Sequence, residues 1–377
     1  MYKNVKLFPE VRDICNYITD GKVDKYTEMT VFQHAFLCGL VREKRPNKIV
    51  EIGVAAGATT AIVLTCLKEL NLAATMYSVD IGKEWYRGGG KTTGFVAQES
   101  KANIIGRSKH EFLLGQSIPY VINQIGKNID FLILDTAHSL PGELLDFLIC
   151  LPYLKDGCVV VLHDMIENFL RGNKNEIATK LLFDTVTAEK YYMVDKEDYI
   201  AGLSNIGAFI VTEETRKNIR NVISALSMSW EYLLQPDEEK LYLEHIHINY
   251  HLEEYNWVER VFKAQRGASV NAQIIRHYRQ SVVKLKLLWK HQKIVYLYGA
   301  GHWGKIYMEF AKMNHLPVKG YVISNERDKP IDIDYPVYKL EELCEKPDEA
   351  AFVIACEWSN FSQIERALAG YGYYKII

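Results

Sequence analysis

Short aliphatic runs bounded by glycine or polar residues recur along the first two hundred positions: KIVEIG at 48–53, MYSVDIG at 76–82, EFLLGQ at 111–116, IDFLILD at 129–135 and CVVVLHD at 158–164. Between them lie stretches with apolar residues at helical spacing, TTAIVLTCLKEL at 59–70 and LLDFLICLPYL at 144–154. Strands separated by helices predict an α/β fold, a doubly wound parallel sheet with crossover helices. Ahead of it, Met29, Phe32, Phe36 and Leu40 mark a helix within 27–45 that stops before Pro46. The run IGAFIVTEE at 206–214 predicts an additional edge strand closing the sheet.

From Thr215 to His291 the pattern becomes long, charged and helical, with Trp230, Trp257 and Trp289 and no strand signal. KIVYLYGAGHWG at 293–304 then restarts the strand–turn–helix order, followed by KGYVIS, AAFVIA and a terminal YYKII. The expected organisation is a first α/β domain over 1–214, a helical connector over 215–291 and a small Rossmann-like α/β domain over 292–377. A chain of 377 residues fits more than one core.

Composition narrows the class only a little. Apolar residues make up 48%, charged residues 24% and the formal net charge is −2, so no global basic field recruits nucleic acid or an anionic membrane. The opening MYKNVKLFPE has no apolar stretch of signal-peptide type, and no run is long enough to span a bilayer. Seven cysteines without a CxxC pair read as reduced thiols, which fits a cytoplasmic protein.

The strand-end sequence Glu51-Ile52-Gly53-Val54-Ala55-Ala56-Gly57-Ala58-Thr59 opens a helix. Glycines at 53 and 57 permit a tight turn and close backbone approach to a ligand. The acid at 51 suits a cofactor with a cationic amino-acid head and would repel a phosphate; the plain alternative is a βα turn packed with small residues. Asp80 ends the next strand, where an acid accepts hydrogen bonds from ribose hydroxyls. Together these residues resemble class I S-adenosylmethionine-dependent methyltransferases, and within them the O-methyltransferase branch of catechol, sugar and macrolide enzymes. The resemblance covers about residues 25–212. It implies that Glu51, Gly53, Ala55, Gly57 and Thr59 line the methionine end of S-adenosylmethionine, that Asp80 and Ile81 hold ribose and adenine, and that Gly115, Gln116 and Ser117 flank the adenine.

IDFLILD ends at Asp135 and continues to His138, while CVVVL ends in His163 and Asp164. In a doubly wound sheet these polar residues converge on one crevice at the carboxyl ends of the strands. An imidazole has the native basicity to take a hydroxyl proton, and the two aspartates offer hard oxygen ligands for Mg²⁺. The family likeness implies the same roles: Asp135 and Asp164 as cation ligands and His138 as general base, with Met165 standing where a further ligand is common and His163 as an alternative third ligand. The contrary reading makes the aspartates strand caps and His138 a surface residue.

Three other signals are discounted. Trp85 stands where a phosphate-loop motif ending at Gly90-Lys91-Thr92 requires glycine, so that stretch reads as a loop closing over the cofactor or substrate. His245, His247 and His251 lack the partners of a zinc site. Gly299-Ala300-Gly301-His302-Trp303-Gly304 has the dinucleotide spacing, but the next strand ends in Ser324-Asn325 with Glu326 only beyond it. This unit resembles small modules of bacterial polysaccharide-biosynthesis enzymes that meet nucleotide-sugars; the fingerprint is read first as structural or oligomerising, with nucleotide-sugar or phosphate binding and then NAD as the alternatives.

The expected function is methyl transfer from S-adenosylmethionine to a hydroxyl of a sugar or glycosylated small molecule. The rivals are an NAD-linked or hydroxylase-type enzyme of surface-polysaccharide metabolism and a non-catalytic nucleotide-sugar-binding scaffold.

Overall fold

The computed structural model describes residues 2–193, 203–279, 281–325 and 335–377. It divides into two compact units, Met1–Phe262 and Lys263–Ile377, and each is described by itself.

Seven strands form the sheet of the first unit among the described residues: β1 (Lys48–Ile52), β2 (Thr75–Asp80), β3 (Lys109–Leu114), β4 (Ile129–Leu134), β5 (Leu154–His163), β6 (Glu189–Tyr192) and β7 (Ile206–Ile210), in the order β3-β2-β1-β4-β5-β7-β6. The first five pair in parallel, whereas β7 runs antiparallel between β5 and β6. The expected edge strand is therefore one place in from the edge. The edge is Glu189–Tyr192, a four-residue strand whose sequence EKYY carries no aliphatic run to announce it.

β4 is buried along its whole length, as a strand covered by helices on both faces must be. One apolar cluster joins Leu132, Leu134 and Val160 to the helix Gly142–Cys150, and a second joins Ile49, Phe131 and Val161 to the helices Val31–Lys44 and Ala58–Glu69. The first of these helices begins at Thr30, whose hydroxyl accepts from the Gln33 N–H while Gln33 answers to the Thr30 N–H, a reciprocal cap.

The division at Phe262 falls inside the helical stretch 215–291. Ile219, Val222, Ile223, Tyr242, Ile246, Val258 and Phe262 belong to the same core cluster as β4 and β5. These residues, on or beside the helices Arg220–Ala225 and Pro236–Asn249 and on the first part of the helix Leu252–Tyr278, are thus spent on the first sheet, while Val270 and Ile274, further along the last helix, join the core of the second unit.

In the second unit β8 (Ile294–Tyr298), β9 (Gly320–Ile323), β10 (Val337–Lys339) and β11 (Ala350–Ile354) form a parallel sheet in the order β10-β9-β8-β11. The final YYKII contributes a single bridge, Ile376 to Phe352, and Glu326 lies outside the described residues. No helix among the described residues is long and apolar enough to cross a membrane.

Candidate functional site

The chain leaves β1 for β2 and β3 on one side and returns to β4 and β5 on the other. That reversal opens a crevice at the carboxyl ends of β1 and β4, the usual place for a ligand in such a sheet. Gly53 lies there with φ +91°, and a Cβ on it would fall 1.8 Å from the carbonyl oxygen of Asp135. Glycine is required at this point both for its backbone angle and for the closeness of the neighbouring strand end. Gly57 is constrained alike, with φ +83° and the Cα of Gly94 only 2.7 Å from a would-be Cβ.

The predicted cofactor residues do different work. Glu51 is fully buried; Thr60 and Ser78 hydroxyls each donate to its Oε2 at 2.6 Å, and its Oε1 has no partner. Burial pushes its carboxyl up to about 7, against the pull of those hydroxyls. Asp80 accepts from the Val54 and Ala55 N–H groups at 2.8 and 3.2 Å with Oδ2 and from Gly82 at 2.7 Å with Oδ1, so it holds the glycine turn in place. Ala55 itself takes the left-handed conformation, φ +48°. Thr59 is half-buried, with its hydroxyl on the Met29 sulfur. Ile81 is 76% exposed, an apolar side chain left uncovered beside Asp80. Gly115 and Gln116 are exposed and both donate backbone N–H to the Asp80 carbonyl, while the Ser117 hydroxyl is buried without a partner.

The second group is drawn tightly together. His138 Nε2 lies 3.2 Å from Asp164 Oδ2 and 3.9 Å from Asp135 Oδ1, and its Nδ1 lies 3.2 Å from Glu143 Oε1. His163 Nδ1 is 3.3 Å from Asp135 Oδ1 and 3.4 Å from Asp164 Oδ2, and its Nε2 faces Gln33 Oε1 at 3.3 Å. His138 and Asp164 both adopt positive φ, +56° and +57°. A non-glycine residue held in that region costs about 1–3 kcal/mol and persists only where its surroundings fix it. Glu143, buried at the start of the helix Gly142–Cys150, supplies the fixing by accepting from the Thr136 and His138 N–H groups at 3.2 and 2.8 Å. Asn205 does so for Asp164, donating to Oδ1 at 2.8 Å.

Charge follows geometry. Burial alone would lower the His138 imidazole, but Glu143, Asp135 and Asp164 outweigh it and raise it to about 9. His163 moves the same way: burial lowers it, and the two aspartates more than reverse that. Asp164 is held well below the usual carboxylate range, the two imidazoles overcoming its burial.

Asp135, His138 and Asp164 each offer one ligand atom, all within 4.8 Å of one another. Two carboxylate oxygens and one imidazole nitrogen fit a divalent cation such as Mg²⁺ or Mn²⁺, and the fit requires that His138 give up its proton. His163 stands behind this trio, 1% exposed and turned toward Gln33. Glu143, Asn205 and Gln33 were not singled out from the sequence. The only signal for Glu143 is an acid in the first turn of a helix, which ordinarily means a dipole contact.

Residues 50–165 match the family model described as a methyltransferase domain. No curated protein matches the chain. Among solved structures it is similar to the O-methyltransferase TomG from Streptomyces achromogenes, in complex with S-adenosylmethionine and involved in tomaymycin synthesis, at 16% identity and TM-score 0.39 over 55% of this chain and 92% of that one. It is also similar to the O-methyltransferase from Bacillus cereus in complex with S-adenosylhomocysteine, at 14% identity and TM-score 0.36 over 54% and 91% of the two chains. A third is the methyltransferase PaMTH1 of Podospora anserina, at 10% identity and TM-score 0.37 over 55% and 89%. The strand-end crevice, its glycine turn and its polar rim all lie in or beside the matched stretch, and residues 50–165 are similar to a methyltransferase domain.

Proposed function

We propose that the chain transfers a methyl group from S-adenosylmethionine to a hydroxyl of a sugar or glycosylated small molecule, with His138 as the group that takes the hydroxyl proton. The observation that carries this reading is His138 set between Asp135 and Asp164, beside the Gly53 turn. In the reaction the acceptor oxygen forms a bond to the methyl carbon as the carbon–sulfur bond breaks, the sulfonium becomes a neutral thioether, and the hydroxyl proton passes to His138 Nε2. The donor is already activated, so the chain's main task is alignment of oxygen, carbon and sulfur. Glu143 holds the imidazole by its other edge, and Asp135 and Asp164 stabilise the imidazolium that forms. Asp135, His138 and Asp164 would hold a divalent cation, which when bound supplies Lewis-acid stabilisation of an alkoxide. With His138 among the ligands it is not the base, whereas a cation held by Asp135 and Asp164 alone leaves His138 free to take the proton.

The test is a screen of free sugars, glycosides and catechols with methyl-labelled donor, each with and without Mg²⁺. Label on a sugar hydroxyl supports the reading, and label on catechols alone moves the acceptor class.

The second unit supports a nucleotide-sugar reading through its own strand-end turn. Gly299 has φ +113° and lies so close to the Ala355 carbonyl that a Cβ would fall 2.4 Å from it, while Gly301 opens onto free space. The strand order switches sides between β8 and β11 at this point, with all four strands parallel.

A further inference from the structure

The methyltransferase chemistry makes no use of the surface built by two helices that follow the sheet of the first unit. The helix Arg220–Ala225 and the first turns of the helix Leu252–Tyr278 border an open cleft of about 440 Å³, lined by residues that include Arg220, Ser224, Glu253, Asn256, Trp257 and Arg260. That volume is of the size of small-molecule sites. None of these residues stands at a strand end.

Four properties of the lining define what it accepts. Trp257 is 43% exposed, a large indole kept at the surface where burial would otherwise be favoured. The Arg260 guanidinium lies 5.4 Å from the centroid of that ring, and its Nε donates to the Asn256 carbonyl at 3.1 Å, which fixes the pair. Arg220 is clamped by two acids: its Nε donates to Glu254 Oε1 at 2.7 Å and its Nη2 to Glu253. Glu254 is 7% exposed and lies under this clamp, while the Arg220 and Glu253 side chains face solvent. Two guanidinium and two carboxylate charges leave the lining neutral overall.

A neutral lining disfavours a strongly charged ligand of either sign, whereas polar side chains beside a half-exposed indole suit the hydroxyls and C–H face of a sugar ring. We infer that this cleft is a binding site for a neutral carbohydrate, separate from the methyl-transfer crevice. Arg220, Glu253 and Asn256 address its hydroxyls and Trp257 packs against its ring. The site holds whether or not the methyl acceptor is itself a sugar, because its test is binding and not turnover.

The experiment is calorimetry and saturation-transfer NMR on the full chain with the methyl glycosides of glucose, galactose, mannose and rhamnose, and with inorganic phosphate and spermidine as charged probes. The parent should bind at least one glycoside and should bind it more tightly than either charged probe. Trp257→Ala, and Ser224→Trp placed to fill the space, should each weaken that binding about tenfold or more while S-adenosylhomocysteine binding stays as in the parent. Retained cofactor binding certifies the fold of both variants. The proposal is overturned if no glycoside binds, if phosphate or spermidine binds best, or if both variants bind sugar like the parent. A change from dimer to monomer in Trp257→Ala, without sugar binding by the parent, overturns it in favour of an interface between copies.

Discussion

His138 Nε2 and Asp164 Oδ2 stand 3.2 Å apart, and both residues hold the left-handed backbone conformation at the carboxyl edge of the first sheet. Two strained residues meeting across neighbouring strand ends require support from both sides, which Glu143 and Asn205 provide. Replacing His138 by Ala should lower turnover by about a hundredfold to ten-thousandfold, as for loss of a general base, with S-adenosylhomocysteine affinity little changed. Single-turnover rates with a confirmed acceptor, beside calorimetry, check both halves.

Glu143 heads the partners that raise His138 to about 9. A base of that strength is mostly protonated at neutral pH, so turnover should climb as pH rises toward that value. Glu143→Gln removes one of the two nearest negative charges and should shift this rising limb to lower pH. A pH–rate profile of both proteins, without added cation, reads the shift directly; an unmoved limb assigns the titration to another group.

If a cation occupies the trio, Asp164→Ala should abolish any stimulation by Mg²⁺ or Mn²⁺ and any inhibition by chelators. Direct Mn²⁺ titration followed by electron paramagnetic resonance gives a readout that does not depend on turnover. A parent that binds no Mn²⁺ removes the cation from the scheme and leaves His138 free to act as base.

The glycine turn is testable through Asp80, whose carboxylate receives the Val54, Ala55 and Gly82 N–H groups. Asp80→Ala leaves these donors without their partner and should weaken S-adenosylhomocysteine by about 1–3 kcal/mol. Gly53→Val should do worse. Calorimetry showing parent-like binding in both variants would place the cofactor elsewhere.

Asp146 offers a stability test away from the reacting groups. It is buried, with Thr136 and Tyr242 hydroxyls donating to it, and burial, helped by the Glu143 charge, raises it to about 7. The folded chain keeps this proton where the unfolded chain, titrating near the ordinary value of 3.8, has released it. Its contribution is therefore full at acid pH and declines as pH rises through that window, by up to about 1.4 kcal/mol per pH unit. Asp146→Asn removes the decline, so the stability of the parent relative to the variant should fall between about pH 5 and pH 8. Urea unfolding at both values measures it.

The sequence revealed those parts of the fold that depend on local pattern. Aliphatic runs such as IDFLILD marked the buried parallel strands, because a strand covered on both faces must be apolar throughout. Glu189–Tyr192 escaped notice because an edge strand of four residues needs no such run. The aspartates and His138 were visible because strand ends in a doubly wound sheet gather on one side. Glu143 was not, because an acid in the first turn of a helix ordinarily means a dipole contact, although it lies only five residues from His138. Asn205 and Gln33 were not, because their partners lie 41 and 130 positions away, and no spacing rule spans such distances.

The crowding of Gly53 against Asp135 has a consequence for any attempt to redesign this enzyme. The turn that would cradle the methyl donor and the strand end that would carry the acceptor's chemistry touch backbone to backbone, with no side chain between them to absorb a change. Under the proposed function, this contact couples donor and acceptor specificity. A substitution that reshapes one floor displaces the other, and variants selected for a new donor should need compensating changes along residues 134–138.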